Sequence, residues 1–195
     1  MELAEHAAAA GAAAVAVIGP PYFQLDERAL VEHFAAAAEA CAPVPFYVYE
    51  FERASGYAVP LVVLYELRER ASNLAGLKVS DAPLDHFAPY LVEGLDVFVG
   101  PEALIDGMTA GAAGAVSGLA AAFPGAVAAV VAAPTADGAL RLGELRAAVE
   151  RFPRHAALKF LLGAGGLPVG EEVRPPLRQL TPGEREELRA WHESS

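Results

Sequence analysis

The residue in this sequence best suited to covalent chemistry is Lys78, one of only two lysines among 195 residues. It lies in the apolar run 74–80, which predicts a buried strand with Gly76, Lys78 and Ser80 on one face. Burial disfavours the charged ammonium, and a neutral amine can attack a carbonyl to form a Schiff base. Alternatively, Lys78 lies at a strand end and extends its charge into water.

Other residues with reactive or ligand-binding side chains form weaker patterns. Glu50 and Glu52 could form an acidic pair, although we expect one or both to be solvated or paired with Arg53. Gly111 and Gly114 favour a tight strand entry over a phosphate cradle, which needs a helix N-terminus and usually a longer glycine pattern. The sequence shows no Ser-His-Asp elbow, Walker loop or dinucleotide fingerprint, and no metal-ligand spacing among its five histidines, His6, His33, His86, His155 and His192.

Strands and helices alternate along the chain, which indicates an α/β fold with a parallel sheet. The apolar runs predict strands at 13–19, 44–51, 74–80, 96–100 and 114–118. Between them we predict helices at 27–40, 60–70, 84–93 and 102–110, the first capped by Asp26. From residue 120 onward we predict helices separated at 137–138, 153, 163–170 and 175–176, with a capping box from Thr181 to Glu184.

The predicted strands are almost continuously apolar, so we expect both faces of the sheet to be covered. Doubly wound sheets and (β/α)8 barrels share this feature, and the spacing of the elements does not separate them. Five strands are too few for a closed eight-stranded barrel.

Composition excludes several classes of function. The net charge is −11 and the isoelectric point about 4.8, which argues against binding to nucleic acid or to an anionic membrane. The single cysteine, Cys41, excludes an internal disulfide framework and favours a cytoplasmic location.

One long apolar stretch could be taken for a membrane span. The stretch 107–136 has no charged side chain, but it is mostly Ala and Gly, and Pro124-Gly125 interrupts it. We therefore predict a buried strand and helix there, not a membrane span.

Several segments together resemble the dihydrodipicolinate synthase / N-acetylneuraminate lyase family of pyruvate-dependent class I aldolases. The run from Gly76 to Ser80 resembles the family's Schiff-base strand, G-[IVL]-K-x-[ST]. Other matching segments occur in the family's order along nearly the whole chain: Pro20-Pro21-Tyr22-Phe23, Val48-Tyr49 with Gly56, Val99-Gly100, Gly111 to Ser117 with Pro124, and Val173-Arg174-Pro175-Pro176-Leu177.

The resemblance implies a TIM barrel, of which this sequence matches strands four to eight and the C-terminal helices. We therefore expect a single domain over 1–195, with a partial barrel over about 1–120 and the last barrel helix and C-terminal helices over 121–195. The family's first three strands have no counterpart in the sequence. The family's G-[ST]-T-G-E loop, which would hold the carboxylate of pyruvate, has none either.

The resemblance also implies roles for individual residues. Lys78 would form the imine with a 2-keto acid, and Tyr49 would shuttle protons to the intermediate and to the aldehyde oxygen. Tyr22 matches a tyrosine that completes the proton relay in the synthases, often across a subunit interface. Ser80, Val116 and Ser117 would lie at strand ends that bind substrate, although each could be a packing residue. No metal or cofactor is implied, and the expected partners are a 2-keto acid, an aldehyde and further copies of the chain.

Departures from the family pattern leave the activity open. Glu50 replaces the asparagine after the tyrosine, Glu52 replaces a proline, and Ala54 stands where the synthases have an arginine, with Arg53 one position early. In the synthases that arginine would bind the carboxylate of the second substrate, so its absence favours a lyase or aldolase acting on pyruvate or another 2-keto acid. Dihydrodipicolinate synthase, a 2-keto-3-deoxy sugar-acid dehydratase and a non-catalytic truncated remnant remain as alternatives.

Overall fold

A computed structural model describes residues 1–80, 83–100 and 104–194. The chain divides into two compact units, Met1–Val116 and Ser117–Ser195. The expectation of a single domain stays a prediction, because compact units can be parts of one domain.

The first unit is built on a parallel sheet, which confirms the predicted α/β class. Its five strands are hydrogen-bonded in chain order, β1 to β5, and each neighbouring pair is parallel. All five fall within the predicted segments: β1 Val15–Ile18, β2 Phe46–Glu50, β3 Leu74–Val79, β4 Asp96–Val99 and β5 Gly114–Ala115.

The helices of this unit pack against one face of the sheet. Val48 and Leu77 on that face are fully buried, and Gly107 brings the backbone of a helix directly against the side chain of Val99. Asp26 caps the second helix as predicted, since its Oδ1 accepts a hydrogen bond of 2.8 Å from the N–H of Ala29. The helices are α1 Glu2–Ala9, α2 Glu27–Cys41, α3 Glu52–Ser55, α4 Leu61–Arg70, α5 Leu84–Phe87 with a 3₁₀ turn Ala88–Tyr90, and α6 Leu104–Thr109. Residues 102–103, where the predicted helix 102–110 begins, lie outside the described residues.

Within the first unit, the opposite face of the sheet is not covered by helices. Tyr47 and Phe98 on that face are half-buried, and Ala16 is exposed. Gly76 and Lys78 on the same face are buried, so the expectation that both faces are covered stays a prediction. The placement of the helices is topological: right-handed crossovers place every helix on the same face when strands follow one another in a single direction across the sheet.

The second unit is helical. Its helices are α7 Leu119–Ala122, α8 Pro124–Ala132, α9 Ala136–Glu150, α10 Arg154–Ala164 and α11 Pro182–Ser194. The predicted capping box is present, since the N–H of Thr181 donates to Glu184 (2.8 Å) and the N–H of Glu184 donates to Thr181 Oγ1 (3.2 Å). No helix among the described residues is long and apolar enough to cross a membrane.

Candidate active site

The pairing of β2 with β3 brings Lys78 and Tyr49 together. The two residues are direct partners in the register of these strands, so their side chains leave the sheet on the same face. Lys78 is only 8% exposed, and its Nζ lies 4.8 Å from the centre of the Tyr49 ring. Both residues lie near the carboxyl ends of their strands, the edge at which barrel enzymes place their sites.

Ser80 joins this pair from just beyond the end of β3. Its Oγ lies 3.4 Å from the Tyr49 hydroxyl, at hydrogen-bond distance. Its position is fixed by the backbone, because the N–H of Ser80 donates to the carbonyl oxygen of Glu50 (2.9 Å). The structure thus brings three of the candidate residues, Lys78, Tyr49 and Ser80, into one cluster.

An aromatic residue that the sequence did not suggest extends the cluster. The Phe51 ring stacks on the Tyr49 ring, with 5.7 Å between ring centres and 15° between planes. The guanidinium carbon of Arg53 lies 5.7 Å from the centre of the Phe51 ring. The sequence did contain a signal for this contact: Tyr49 and Phe51 are two residues apart at a strand end, and alternate residues of an extended chain share a face.

Glu50 has a structural role that sequence analysis missed. Its side chain is 4% exposed, and its two carboxylate oxygens accept the backbone N–H groups of Glu52 (3.0 Å) and Val59 (2.7 Å). The Glu50 carboxylate therefore holds the first and last residues of the segment 52–59, which follows β2, by hydrogen bonds. Burial raises the pKa of the Glu50 carboxyl, the two N–H groups oppose the rise, and the charge of Glu52 adds to it. Glu52 itself is exposed, as expected for one member of the pair.

A cavity of about 670 Å³ opens beside the ends of β2 and β3. The described residues that line this cavity include Ser80, Glu50, Arg53, His86 and Tyr90. Lys78 and Tyr49 are not among them. The Tyr90 hydroxyl donates to the carbonyl oxygen of Val59 (2.8 Å). Burial and the carboxylates of Glu50 and Glu52 raise the pKa of this phenol.

Tyr22 lies apart from this buried cluster. Its side chain is 89% exposed, and its ring packs edge-on against Phe23 with 4.7 Å between centres. Its backbone has φ +90°, in the left-handed region that few residues other than glycine adopt.

The two remaining candidates follow β5. Val116 is 52% exposed, and its N–H donates to the carbonyl oxygen of Val99 (2.9 Å), which continues the pairing with β4. Ser117 is the first residue of the second unit, and its Oγ accepts a hydrogen bond from the N–H of Leu119 (3.2 Å). The described residues contain no group of three or more His, Cys, Asp or Glu side chains that could hold a metal ion.

A parallel sheet with its strands in chain order, and reactive side chains at their carboxyl ends, is the arrangement of (β/α)8-barrel enzymes. The chain matches the Dihydrodipicolinate synthetase family over residues 1–194 and belongs to that family. An uncharacterized DapA-like lyase of Halobacterium salinarum is 34% identical over 201 residues, which cover 96% of this chain and 64% of that protein. The chain thus spans somewhat less than two thirds of the length of this relative.

Solved structures agree with the family assignment. The sialic acid aldolase of Ruminococcus gnavus is 26% identical and superposes with a TM-score of 0.86, covering 98% of this chain and 68% of that one. The catalytic lysine mutant of the same aldolase has a TM-score of 0.81 at 25% identity, covering 98% and 67% of the two chains. These likenesses extend over both units of the chain.

Proposed function

We propose that this chain is a lyase or aldolase that acts through a Schiff base between Lys78 and pyruvate or another 2-keto acid. The observation that carries the proposal is the buried Lys78 amine, 4.8 Å from the Tyr49 ring, near the carboxyl end of a barrel-type strand. The similarity to an aldolase that has a catalytic lysine supports the proposal. We further propose that the five strands correspond to strands four to eight of a (β/α)8 barrel, and that the protein is a cytoplasmic homo-oligomer.

The proposed reaction begins when the Lys78 amine attacks the carbonyl carbon of the 2-keto acid. Loss of one water molecule gives a protonated imine. In the cleavage direction Tyr49 first passes its hydroxyl proton to the relay that begins at Ser80. The bond between C3 and C4 then breaks, its electron pair moves toward the imine nitrogen, and the C4 hydroxyl gives its proton to the Tyr49 oxygen as the aldehyde leaves. Tyr49 donates this proton to C3 of the enamine and takes its own proton back from the relay, and addition of water releases the 2-keto acid and the free amine.

Tyr49 is the proposed proton carrier in this reaction. A phenol gives up its proton reluctantly at neutral pH, so it needs a hydrogen-bond relay. The Ser80 hydroxyl, 3.4 Å from the Tyr49 hydroxyl, is placed to be the first member of such a relay. Tyr22, Val116 and Ser117 remain proposed substrate-binding residues on the resemblance alone.

Trapping of the imine tests the proposal. We expect incubation with pyruvate and borohydride to add a reduced pyruvyl group to Lys78, located by peptide mass mapping. Lys159 is the matched control, because it is the other lysine of the chain and lies on α10 with its amine at the carbonyl oxygen of Glu172. Lys78→Ala should abolish the adduct, and Lys159→Ala should leave it. An adduct on Lys159, or none at all, would contradict the proposal and favour a non-catalytic protein.

A further inference from the structure

Phe51 stands out among the residues around Tyr49 because its ring faces the ring of the proposed proton carrier. The two rings are nearly parallel, at 15°, with 5.7 Å between their centres. Stacked pairs of this kind stabilise one relative orientation beyond the burial of their surfaces. The Tyr49 ring thus has Lys78 Nζ at 4.8 Å from its centre and the Phe51 ring as a second neighbour.

The backbone of Phe51 is itself held in place. Phe51 is the residue before α3, and its carbonyl oxygen accepts the N–H groups of Ala54 (2.9 Å) and Ser55 (3.0 Å). The Ser55 hydroxyl also lies 3.0 Å from this oxygen. The residues before and after Phe51 are also joined, because the Glu50 carboxylate accepts the N–H of Glu52. The backbone of Phe51 is therefore fixed relative to β2, the strand that carries Tyr49.

We propose that Phe51 is a positioning residue for proton transfer by Tyr49. Its ring restricts the Tyr49 side chain to the orientation in which the hydroxyl lies 3.4 Å from Ser80 Oγ and the ring lies over Lys78 Nζ. Without Phe51 the phenol samples other orientations, and small displacements of a proton carrier lower the rate strongly. The inference rests on the proposed function, because it assigns Phe51 to the step that follows imine formation.

Two chemical measurements separate imine formation from proton transfer. Borohydride trapping with pyruvate reports the imine on Lys78. Exchange of the pyruvate methyl protons for deuterium, followed by proton NMR in heavy water, reports the enamine, which forms only when a proton leaves C3. A third measurement needs no activity. The chemical shift of the Tyr49 carbon that bears the hydroxyl is observed by NMR with ring-labelled tyrosine, and the signal is assigned by its loss in Tyr49→Phe. This chemical shift reports whether an aromatic ring lies beside Tyr49.

The variants are Phe51→Leu, the conservative Phe51→Tyr and the control Tyr65→Leu, which removes a half-exposed ring from α4. We expect Phe51→Leu to keep the Lys78 adduct within about twofold of the unchanged chain, while exchange at saturating pyruvate falls about tenfold or more. Phe51→Tyr should restore exchange, and the Tyr49 signal should move in Phe51→Leu only. Phe51→Met replaces Phe51→Leu if the latter does not fold.

Several outcomes overturn the inference. Unchanged exchange in Phe51→Leu contradicts it, as does equal loss of adduct and exchange, which would place Phe51 in the folding of the site. An unmoved Tyr49 signal in Phe51→Leu also contradicts it. If the unchanged chain forms no adduct, the proposed function fails, and the inference fails with it, because it assigns Phe51 to a later step of that reaction.

Discussion

At the scale of single residues, alternation along strands indicates which side chains share a face but not what each one contacts. It places Lys78 and Ser80 on one side of β3, where the structure adds Tyr49 from β2. The same alternation places Glu50 on the helix-covered face with Val48, yet we expected only that one or both of Glu50 and Glu52 are solvated or paired with Arg53, and did not predict a buried carboxylate. Glutamate is seldom buried, and the backbone N–H groups that compensate its burial come from a loop whose path the sequence does not define.

The burial of Glu50 predicts a specific dependence of stability on pH. Its pKa in the folded protein is raised from 4.5, so the folded state binds this proton more tightly than the unfolded state does. The contribution of this group to stability is therefore complete below pH 4.5 and is lost as the pH rises through the raised pKa. Glu50→Gln has no such proton, so the free energy of unfolding of the unchanged chain, minus that of the variant, should fall across this range.

Urea denaturation at a series of pH values measures this difference. The control is Glu39→Gln, which removes one carboxylate from the exposed surface of α2 and so separates the burial of Glu50 from a change of net charge. A difference for Glu50→Gln that rises with pH would show that the backbone N–H groups outweigh burial at this carboxylate.

At the scale of elements, the strands were predicted better than the helices. Each strand is a separate apolar run, whereas helix ends depend on local caps. The predicted helix 84–93 is only α5 followed by a 3₁₀ turn, since Pro89 has no backbone N–H to donate within a helix. The predicted break at 137–138 lies inside α9, because Thr135 Oγ1 accepts the N–H of Gly138 (3.1 Å) and starts the helix there.

Gly76 illustrates a constraint that acts between elements. It pairs with Asp96 in the register of β3 and β4, and a Cβ atom at Gly76 would lie 2.7 Å from the carbonyl carbon of Asp96 and overlap its oxygen. Because these are backbone atoms, they cannot move without separating the strands. We expect Gly76→Ala to lower the free energy of unfolding by about 3 kcal/mol or more, the upper range for overpacking.

Gly143→Ala is the matched control for this substitution. Gly143 lies inside α9, and a Cβ atom there would meet nothing within 4 Å. Alanine should therefore stabilise the helix by about 0.5–1 kcal/mol. Chemical denaturation of both variants measures the two effects, and a Gly76→Ala variant as stable as the unchanged chain would show that the register of β3 and β4 adapts.

At the scale of the whole molecule, the decisive feature is the order of the strands. Strand order cannot be read from apolar runs, because doubly wound sheets and barrels use the same alternation of strands and helices. In the structure the order never reverses, and β1 and β5 each pair with a single strand among the described residues. Among the described residues, no further strand pairs with the outer edge of β1 or of β5, and we call these two edges the open edges. The helices of the first unit also leave one face of the sheet uncovered.

These open edges predict that the 195-residue polypeptide associates with itself. The N–H of Val15 donates to Pro45 on the side of β2 (2.9 Å), so the backbone groups of Ala16 point to the open side of β1. Unpaired edge groups of this kind are templates for pairing with another chain. We expect sedimentation velocity at about 1–50 µM to show a mass that rises with concentration.

Lysine on an edge strand discourages such pairing, so Ala16→Lys should weaken the association about tenfold. Ala36→Lys introduces the same charge on the exposed surface of α2 and should leave the association unchanged, which separates an effect of the edge from an effect of net charge. A monomer throughout this concentration range, or equal weakening by both substitutions, would show that the edge of β1 does not direct association. Selective weakening by Ala16→Lys would place the contact at β1, beside the strand that carries Tyr49.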